Sequence, residues 1–255
     1  WLHVAPVKGL RIEERQRIQL GTSGVEDDRL FCVVDVETGL MLNGKRLAPL
    51  TAIVAHFDPE NDRLELRMPN GMSVRERVAV SEPIVVTIYR HEAPGHIVEG
   101  PWAAALSAQL GRPVRLVRFD AAGNGHDRAR KSAGATLLSL ASLERLQEEA
   151  QVGEPVDPRR FRMLIGIAGA RPHEEDEWIG HRVHVGDAIV VPAGNVGRCV
   201  VTTRDPDTGD PDIDTLDLLA RYRPADTTEP LAFGVWAHVE RAGEVRIGDE
   251  VSVER

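Results

Sequence analysis

The first 117 residues switch repeatedly between short runs of period-two alternation and turns built from Gly, Pro and Asn. Arg15–Leu20, Arg63–Met68 and Ser73–Val80 alternate polar with apolar side chains, and Leu30–Val36 is a near-continuous apolar run. Alternation at that period places one set of side chains on each face of a strand, whereas a helix needs apolar residues three and four apart. Leu2–Val7 reads as a first strand ending at Lys8-Gly9, and Pro69-Asn70-Gly71, Thr38-Gly39 and Asn43-Gly44 read as turns, the last in the pattern of a tight hairpin. These features predict a β meander or barrel. One helix interrupts it: Pro101–Leu110 sets Trp102, Leu106 and Leu110 on one face, with Gly111 at the C-cap, before Val114–Phe119 returns to a strand.

Between Asp120 and Ala135 the composition shifts to Gly, Asn, His, Asp, Arg and Lys, which reads as an exposed loop and a boundary. We therefore expect two domains, 1–118 and 119–255. In the second, Thr136–Ala150 carries the strongest helical pattern, with Ser139 or Ser142 as cap and Leu143, Leu146 and Ala150 on one face. Arg159–Ala168, His181–Val191, Arg198–Thr203 and Val245–Val253, the last around Gly248-Asp249, read as strands, and Leu216–Tyr222 as a short helix. The expected class is mostly β with a few helices. At 255 residues the chain is long enough for a core without staples, and with aromatics at 4% that core is aliphatic. A net charge of −9 argues against a nucleic-acid surface. No window approaches the roughly 20 apolar residues of a membrane span, and the start carries no signal-peptide pattern. Cys32 and Cys199 form neither a disulfide framework nor a CxxC site, which suits a reducing, cytoplasmic setting.

The densest chemistry lies in Gly194–Gly209, GNVGRCVVTTRDPDTG. Val200–Thr203 favour extended backbone, and Pro206 with Gly209 marks a turn, so Cys199 is expected where a loop enters a strand. An isolated cysteine is most often a buried small hydrophobe. Beside the charge of Arg198 a thiol ionises more readily and becomes a nucleophile or soft metal ligand. In Asp157–Arg162, DPRRFR, Arg160 and Arg162 would share one face of a strand, as an anion clamp or as a solvated strand edge. The run His173–Glu177 reads as a solvated loop, and the pairs His91/His96 and His181/His184 match no metal motif. Nucleophile-elbow, Walker and GxGxxG patterns are absent, which removes serine hydrolase, P-loop and Rossmann readings.

Five segments in order, PVKG at Pro6–Gly9, DDRLF at Asp27–Phe31, RFR at Arg160–Arg162, EEDEW at Glu174–Trp178 and GRCVVTTRDPDTG at Gly197–Gly209, resemble the MOSC family, the molybdenum cofactor sulfurase C-terminal domain with its N-terminal β-barrel partner. The resemblance spans nearly the whole chain. It implies a β-barrel core binding a molybdopterin-type molybdenum cofactor, with Cys199 as metal ligand and catalytic residue, and Lys8, Arg29 and Arg162 on the pterin phosphate and its neighbours. Arg160, Arg198 and Thr202, beside the matched positions, complete the implied cofactor-binding set; pyridoxal phosphate binding is also associated with the family. The implied activity is reduction of small N-hydroxylated molecules with electrons from a separate redox protein. The alternative is a non-catalytic sulfur carrier or cofactor-delivery module using Cys199. The chain departs from the family pattern at Gly9 for serine, Met163-Leu164 for Pro-Asn, Lys131 for an acidic residue and Trp236 for tyrosine.

Overall fold

A computed structural model describes residues 1–89, 91–128, 133–223 and 226–254. The largest sheet has eight strands in the order Val251–Val253, Val183–Val185, Ala188–Gly197, Ala232–Arg241, Ala135–Ser139, Ile165–Ile167, Leu2–Val4 and Glu13–Arg15. Its neighbours run antiparallel except Ala135–Ser139 beside Ile165–Ile167. A parallel neighbour requires a crossover, and a helix at Leu140–Ala150 lies within that connection. A second sheet orders Ala79–Ile88, His91–Glu99, Val114–Phe119, Phe31–Asp35 and Val7–Lys8. Two three-stranded sheets complete the described strands: Gly243–Arg246, Arg17–Gly21 and Gly24–Val25 in one, and Val54–Asp58, Arg63–Arg67 and Ser73–Arg77 in the other. This is the mostly β architecture expected. Strands from the front of the chain pair with strands from its second half: Leu2 with Ile165, and Arg17–Leu20 with Gly243–Arg246.

Among the described residues three α-helices pack on these sheets: α1 (Trp102–Leu110), α2 (Leu140–Ala150) and α3 (Thr215–Tyr222). Trp102 and Leu106 on α1 are fully buried against Phe31, Phe57, Leu64 and Leu66, and Gly111 closes the helix in the left-handed region at φ 66°. Leu146 on α2 and Leu219 on α3 meet Phe161 and Phe233 in a separate cluster. Among the described residues, no helix is long and apolar enough to cross a membrane.

The structure differs from the sequence expectations in two ways, through strand pairing and burial in some segments and through local side-chain hydrogen bonds in others. Thr136–Ser139 belong to a strand, because this apolar run is paired on both sides and a buried central strand has no polar face to mark its period. His181–Val191 is a hairpin turned at Gly186, with φ 55°, and the Val245–Val253 segment divides into two strands that join different sheets. Asn43-Gly44 forms no hairpin, since the Asn43 side chain accepts from the amides of Lys45 (3.0 Å) and Arg46 (3.2 Å) and leads into a 3₁₀ turn at Ala48–Ala52. Arg159–Ala168 is not one strand: Asp157 caps a 3₁₀ turn at Pro158–Phe161 by accepting from the Arg159 amide at 2.8 Å, and only Ile165–Ile167 is extended. Arg160 and Arg162 therefore do not share a strand face. Val200–Thr203 is also a 3₁₀ turn, in which the Thr202 and Thr203 hydroxyls bond back to the carbonyls of Cys199 (3.0 Å) and Val200 (2.9 Å). The acidic run is not a solvated loop, for Glu175 and Trp178 are buried in a 3₁₀ turn at Glu174–Trp178.

Candidate cofactor site

The strand Ala188–Gly197 ends just before Cys199, which sits extended (φ −142°, ψ 173°) at the entry of the 3₁₀ turn. Cys199 is half-buried, and its carbonyl receives both the amide and the hydroxyl of Thr202, at 2.9 and 3.0 Å. Beyond it, Asp205 Oδ1 accepts the amides of Asp207 and Thr208, each at 2.8 Å, and Gly209 takes φ 82°, so the DPDTG turn is self-capped.

Lys8 arrives from the other half of the chain. Its two-residue strand, Val7–Lys8, runs parallel to Phe31-Cys32, which fixes the backbone while the ammonium is buried against Asp127. Burial pushes the Lys8 pKa below its ordinary value against the pull of Asp127, and the charges of Arg29 and Arg162 push the same way. Arg29 and Arg162 both hold φ 55°. Arg29 pairs with Asp28 through Nη1 and donates from Nη2 to the Arg162 carbonyl at 3.3 Å. Arg162 donates from Nη1 to the Leu10 carbonyl at 2.8 Å, while its buried Nη2 has no partner among the described residues. Burial, followed by the charge of Arg29, brings the Arg162 pKa down to about 10.

Lys8, Arg29, Arg162 and Cys199 line one cavity of about 200 Å³. One buried carboxylate, Asp28, and one half-exposed carboxylate, Asp127, answer these three cations. Asp28 accepts from the Ala5 amide at 2.8 Å and lies 3.2 Å from His126 Nε2; burial raises its pKa, but Arg29 and His126 outweigh that and hold it far below the carboxylate range. Asp127 likewise has its burial outweighed by the charge of Lys8. Lys8, Arg29 and Arg162 outnumber these two carboxylates, and Arg162 Nη2 has no hydrogen-bond partner among the described residues, an arrangement whose chemistry suits an anion.

A MOSC domain model matches residues 128–252 and a MOSC N-terminal beta barrel domain model matches residues 1–100. The chain belongs to the MOSC family. Mitochondrial amidoxime-reducing component 1 of Homo sapiens is 26% identical across 98% of this chain and 80% of its own length. Mitochondrial amidoxime reducing component 2 of Rattus norvegicus is 37% identical across 45% of this chain and 35% of its own. Molybdenum cofactor sulfurase of Oryza sativa subsp. japonica is 25% identical across 86% of this chain and 30% of its own length.

In this MOSC chain, Lys8 and Arg29 come from the segment matched by the N-terminal model, and Arg162 and Cys199 from the MOSC domain. The other expected site residues brace this arrangement. Arg160 is buried and bidentate to Asp212 (2.9 and 2.7 Å), with further bonds to the carbonyls of Thr202 (3.0 Å) and Arg204 (3.2 Å). Arg198 donates to the Phe161 carbonyl at 2.8 Å, from Nε to the Phe233 carbonyl at 2.9 Å and to Met163 Sδ at 2.9 Å; burial, then the charge of Arg128, lowers its pKa to about 9. Its guanidinium is spent on the walls behind Cys199. Thr202 shares its hydroxyl with Thr215 at 2.7 Å.

The departures from the MOSC pattern have local explanations in part. Gly9 has φ 89°, and a Cβ there would lie 3.1 Å from Asn43 Cα, so glycine fits this turn and serine would be strained. Met163 supplies the sulfur contact to Arg198, and Leu164 is core. Trp236 lines the cavity, and Lys131 lies outside the described residues. Several polar contributors to the cavity escape sequence reading, among them Asp127 and His126, from the segment read as an exposed loop, and Tyr89. Partial desolvation of the half-exposed Tyr89, with the charges of Asp127 and Cys199 adding to it, pushes its pKa up to about 12, so it keeps its phenolic proton. The one available signal was DDRLF, which places Asp28 beside Arg29.

Proposed function

We propose that this MOSC protein binds a molybdenum cofactor of the molybdopterin type in the cavity between Lys8 and Cys199 and reduces small N-hydroxylated substrates there. The observation that carries the reading is the convergence on one cavity of Lys8, Arg29, Arg162 and Cys199, which are scattered through the chain. The donor set fits the group. Lys8, Arg29 and the unpartnered Arg162 Nη2 would hold the terminal phosphate, for which planar guanidinium donors suit a tetrahedral oxyanion. Cys199 Sγ would be the soft anionic ligand of the metal.

A molybdenum centre held there would supply two-electron chemistry at an N–O bond. The chain's own residues bind, orient and screen. Arg198 and Thr202 hold the backbone on either side of Cys199, so that Sγ is presented from a fixed turn. Tyr89, which is 52% exposed at the cavity, offers a phenolic O–H to a substrate oxygen. Reduction of a hydroxylamine to an amine consumes two electrons and two protons and releases water. The electrons come from a separate redox protein, since the sequence carries neither a flavin nor an iron–sulfur motif. A reducing compartment such as the cytoplasm keeps Cys199 available as a thiol.

Elemental and pterin analysis of protein purified from a host that makes the cofactor tests this reading. We expect molybdenum and pterin in the unmodified protein and no molybdenum in Cys199→Ser of unchanged fold. A folded wild-type protein without either component overturns it. A cyanide-labile sulfur on Cys199 in that metal-free protein would support the sulfur-carrier alternative, to which the likeness to the sulfurase lends weight.

A further inference from the structure

A second, smaller cavity shares Arg160, Arg162 and Val201 with the cofactor cavity and is otherwise lined by Arg11, Arg159, Arg204 and Asp205 among others. Its volume of about 10 Å³ accommodates a single water-sized particle. Five arginines line it. Four of them each leave one buried nitrogen without a partner: Arg11 Nε, Arg160 Nε, Arg162 Nη2 and Arg204 Nε. Arg160 is only 4% exposed, so bulk water does not satisfy it.

The carboxylates nearby are already committed. Asp212 is held bidentate by Arg160, and Asp157 accepts from the amide and side chain of Arg159. Asp207 bridges Arg11 at 3.0 Å and Arg159 at 2.9 Å, and Asp205 Oδ1 caps its own turn. These four acids leave the five guanidiniums with one positive charge in excess, the charge of Arg162 that also faces the larger cavity. Donor count decides between the possible occupants. A water molecule accepts two hydrogen bonds and must place two protons of its own, whereas a spherical anion accepts from every side and has none to place. Four unpartnered buried N–H donors on residues that line a one-particle space exceed the two that one water accepts, and suit a monoatomic anion.

We propose that this cavity is a halide site, occupied by chloride under physiological conditions, that ties Arg11 of the front segment to Arg160, Arg162 and Arg204 behind it. The site needs no molybdenum, and of its donors only Arg162 Nη2, which carries two N–H bonds, is shared with the proposed phosphate position. By completing the donors behind Arg162, the anion fixes one wall of that pocket.

Crystals of the full chain grown without halide and soaked in sodium bromide, with anomalous data collected at the bromine edge, test the assignment. A bromine peak among Arg11, Arg160, Arg162 and Arg204 is expected. A water molecule there with no anomalous signal overturns the proposal, and so does a bromine peak confined to Lys8 and Arg29, an outcome that leaves the cofactor reading intact. In solution, the thermal midpoint should rise and saturate with sodium bromide relative to sodium gluconate of equal ionic strength. Arg204→Gln should lose that saturable rise. Should that variant fail to fold, the bromide soak of the unmodified protein decides alone.

Discussion

Arg29 donates from its side chain to the backbone carbonyl of Arg162 at 3.3 Å, and both residues stand in the left-handed region at φ 55°. Arginine gains nothing intrinsic from that conformation, which costs a non-glycine residue on the order of 1 kcal/mol or more. Both turns persist because each is pinned by neighbouring backbone bonds, Arg29 N to Ala5 at 2.7 Å and Arg162 N to Arg159 at 3.1 Å. The result is two guanidinium groups on one cavity.

Arg29→Gln should weaken phosphate binding. Loss of a charge-assisted bond of roughly 1.5 to 3 kcal/mol corresponds to about a tenfold to hundredfold drop in affinity. Calorimetric titration of the cofactor-free protein with inorganic phosphate measures it, and an unchanged affinity would remove Arg29 from the anion set.

Asp127 occupies the Lys8 ammonium in the absence of a bound anion, so Asp127→Asn should raise phosphate affinity several-fold. The same change leaves a buried ammonium poorly compensated, and the thermal midpoint without phosphate should fall. Saturating phosphate should restore much of the loss by binding the folded state alone. A drop in phosphate affinity would instead make Asp127 an orienting partner of Lys8.

Gly9→Ser restores the hydroxyl typical of the family, yet it should not improve binding. At φ 89° with Asn43 Cα 3.1 Å from the added Cβ, the substitution should cost about 1 to 3 kcal/mol. Denaturant unfolding reads the stability, and phosphate titration shows whether the hydroxyl compensates.

Glu175 and His173 oppose each other in pH dependence. Burial raises the Glu175 pKa to about 7, so the folded state binds the extra proton and this stability is full below the unfolded value near 4.5 and lost as pH rises through 7. Burial lowers the His173 pKa to about 4, so its contribution grows as pH rises from 4 towards 6.5. Glu175→Gln keeps an acceptor for the Ser142 hydroxyl, which donates at 3.0 Å, and removes the first effect. The variant should gain roughly 2 to 4 kcal/mol on wild type between pH 5 and pH 8. Unfolding curves at both values check it; parallel pH profiles would place the Glu175 titration elsewhere.

The strands with one solvated face, such as Arg63–Arg67, were legible in the sequence because each side chain reports its face through its polarity. Helix α1 was equally plain, since Trp102 and Leu106 are buried and Gly111 has the φ its cap requires. The segments around the site were misread for a common reason. Asp157, Thr202 and Thr203 satisfy nearby backbone groups with their own side chains, and that bond is invisible to periodicity. The cluster of Lys8, Arg29, Arg162 and Cys199 followed from motif resemblance, because nothing local links residues so distant in sequence. Asp127 stayed hidden: a polar residue in a Gly-rich stretch looks the same whether it faces water or a buried ammonium.

The pairing of Leu2 with Ile165, and the bond from Arg162 to the Leu10 carbonyl, also set a timetable for biosynthesis. At 5 to 20 residues per second, roughly 10 to 40 s separate the emergence of Lys8 from that of Cys199 on the ribosome. Early in that interval Val7-Lys8 can pair with Phe31-Cys32, but Lys8 has no Asp127 and the first strand no partner at Ile165 until those segments emerge in its second half. The nascent front half must therefore keep an unfinished sheet edge from pairing elsewhere, which makes this region the expected client of holding chaperones and the segment most prone to aggregate when translation stalls.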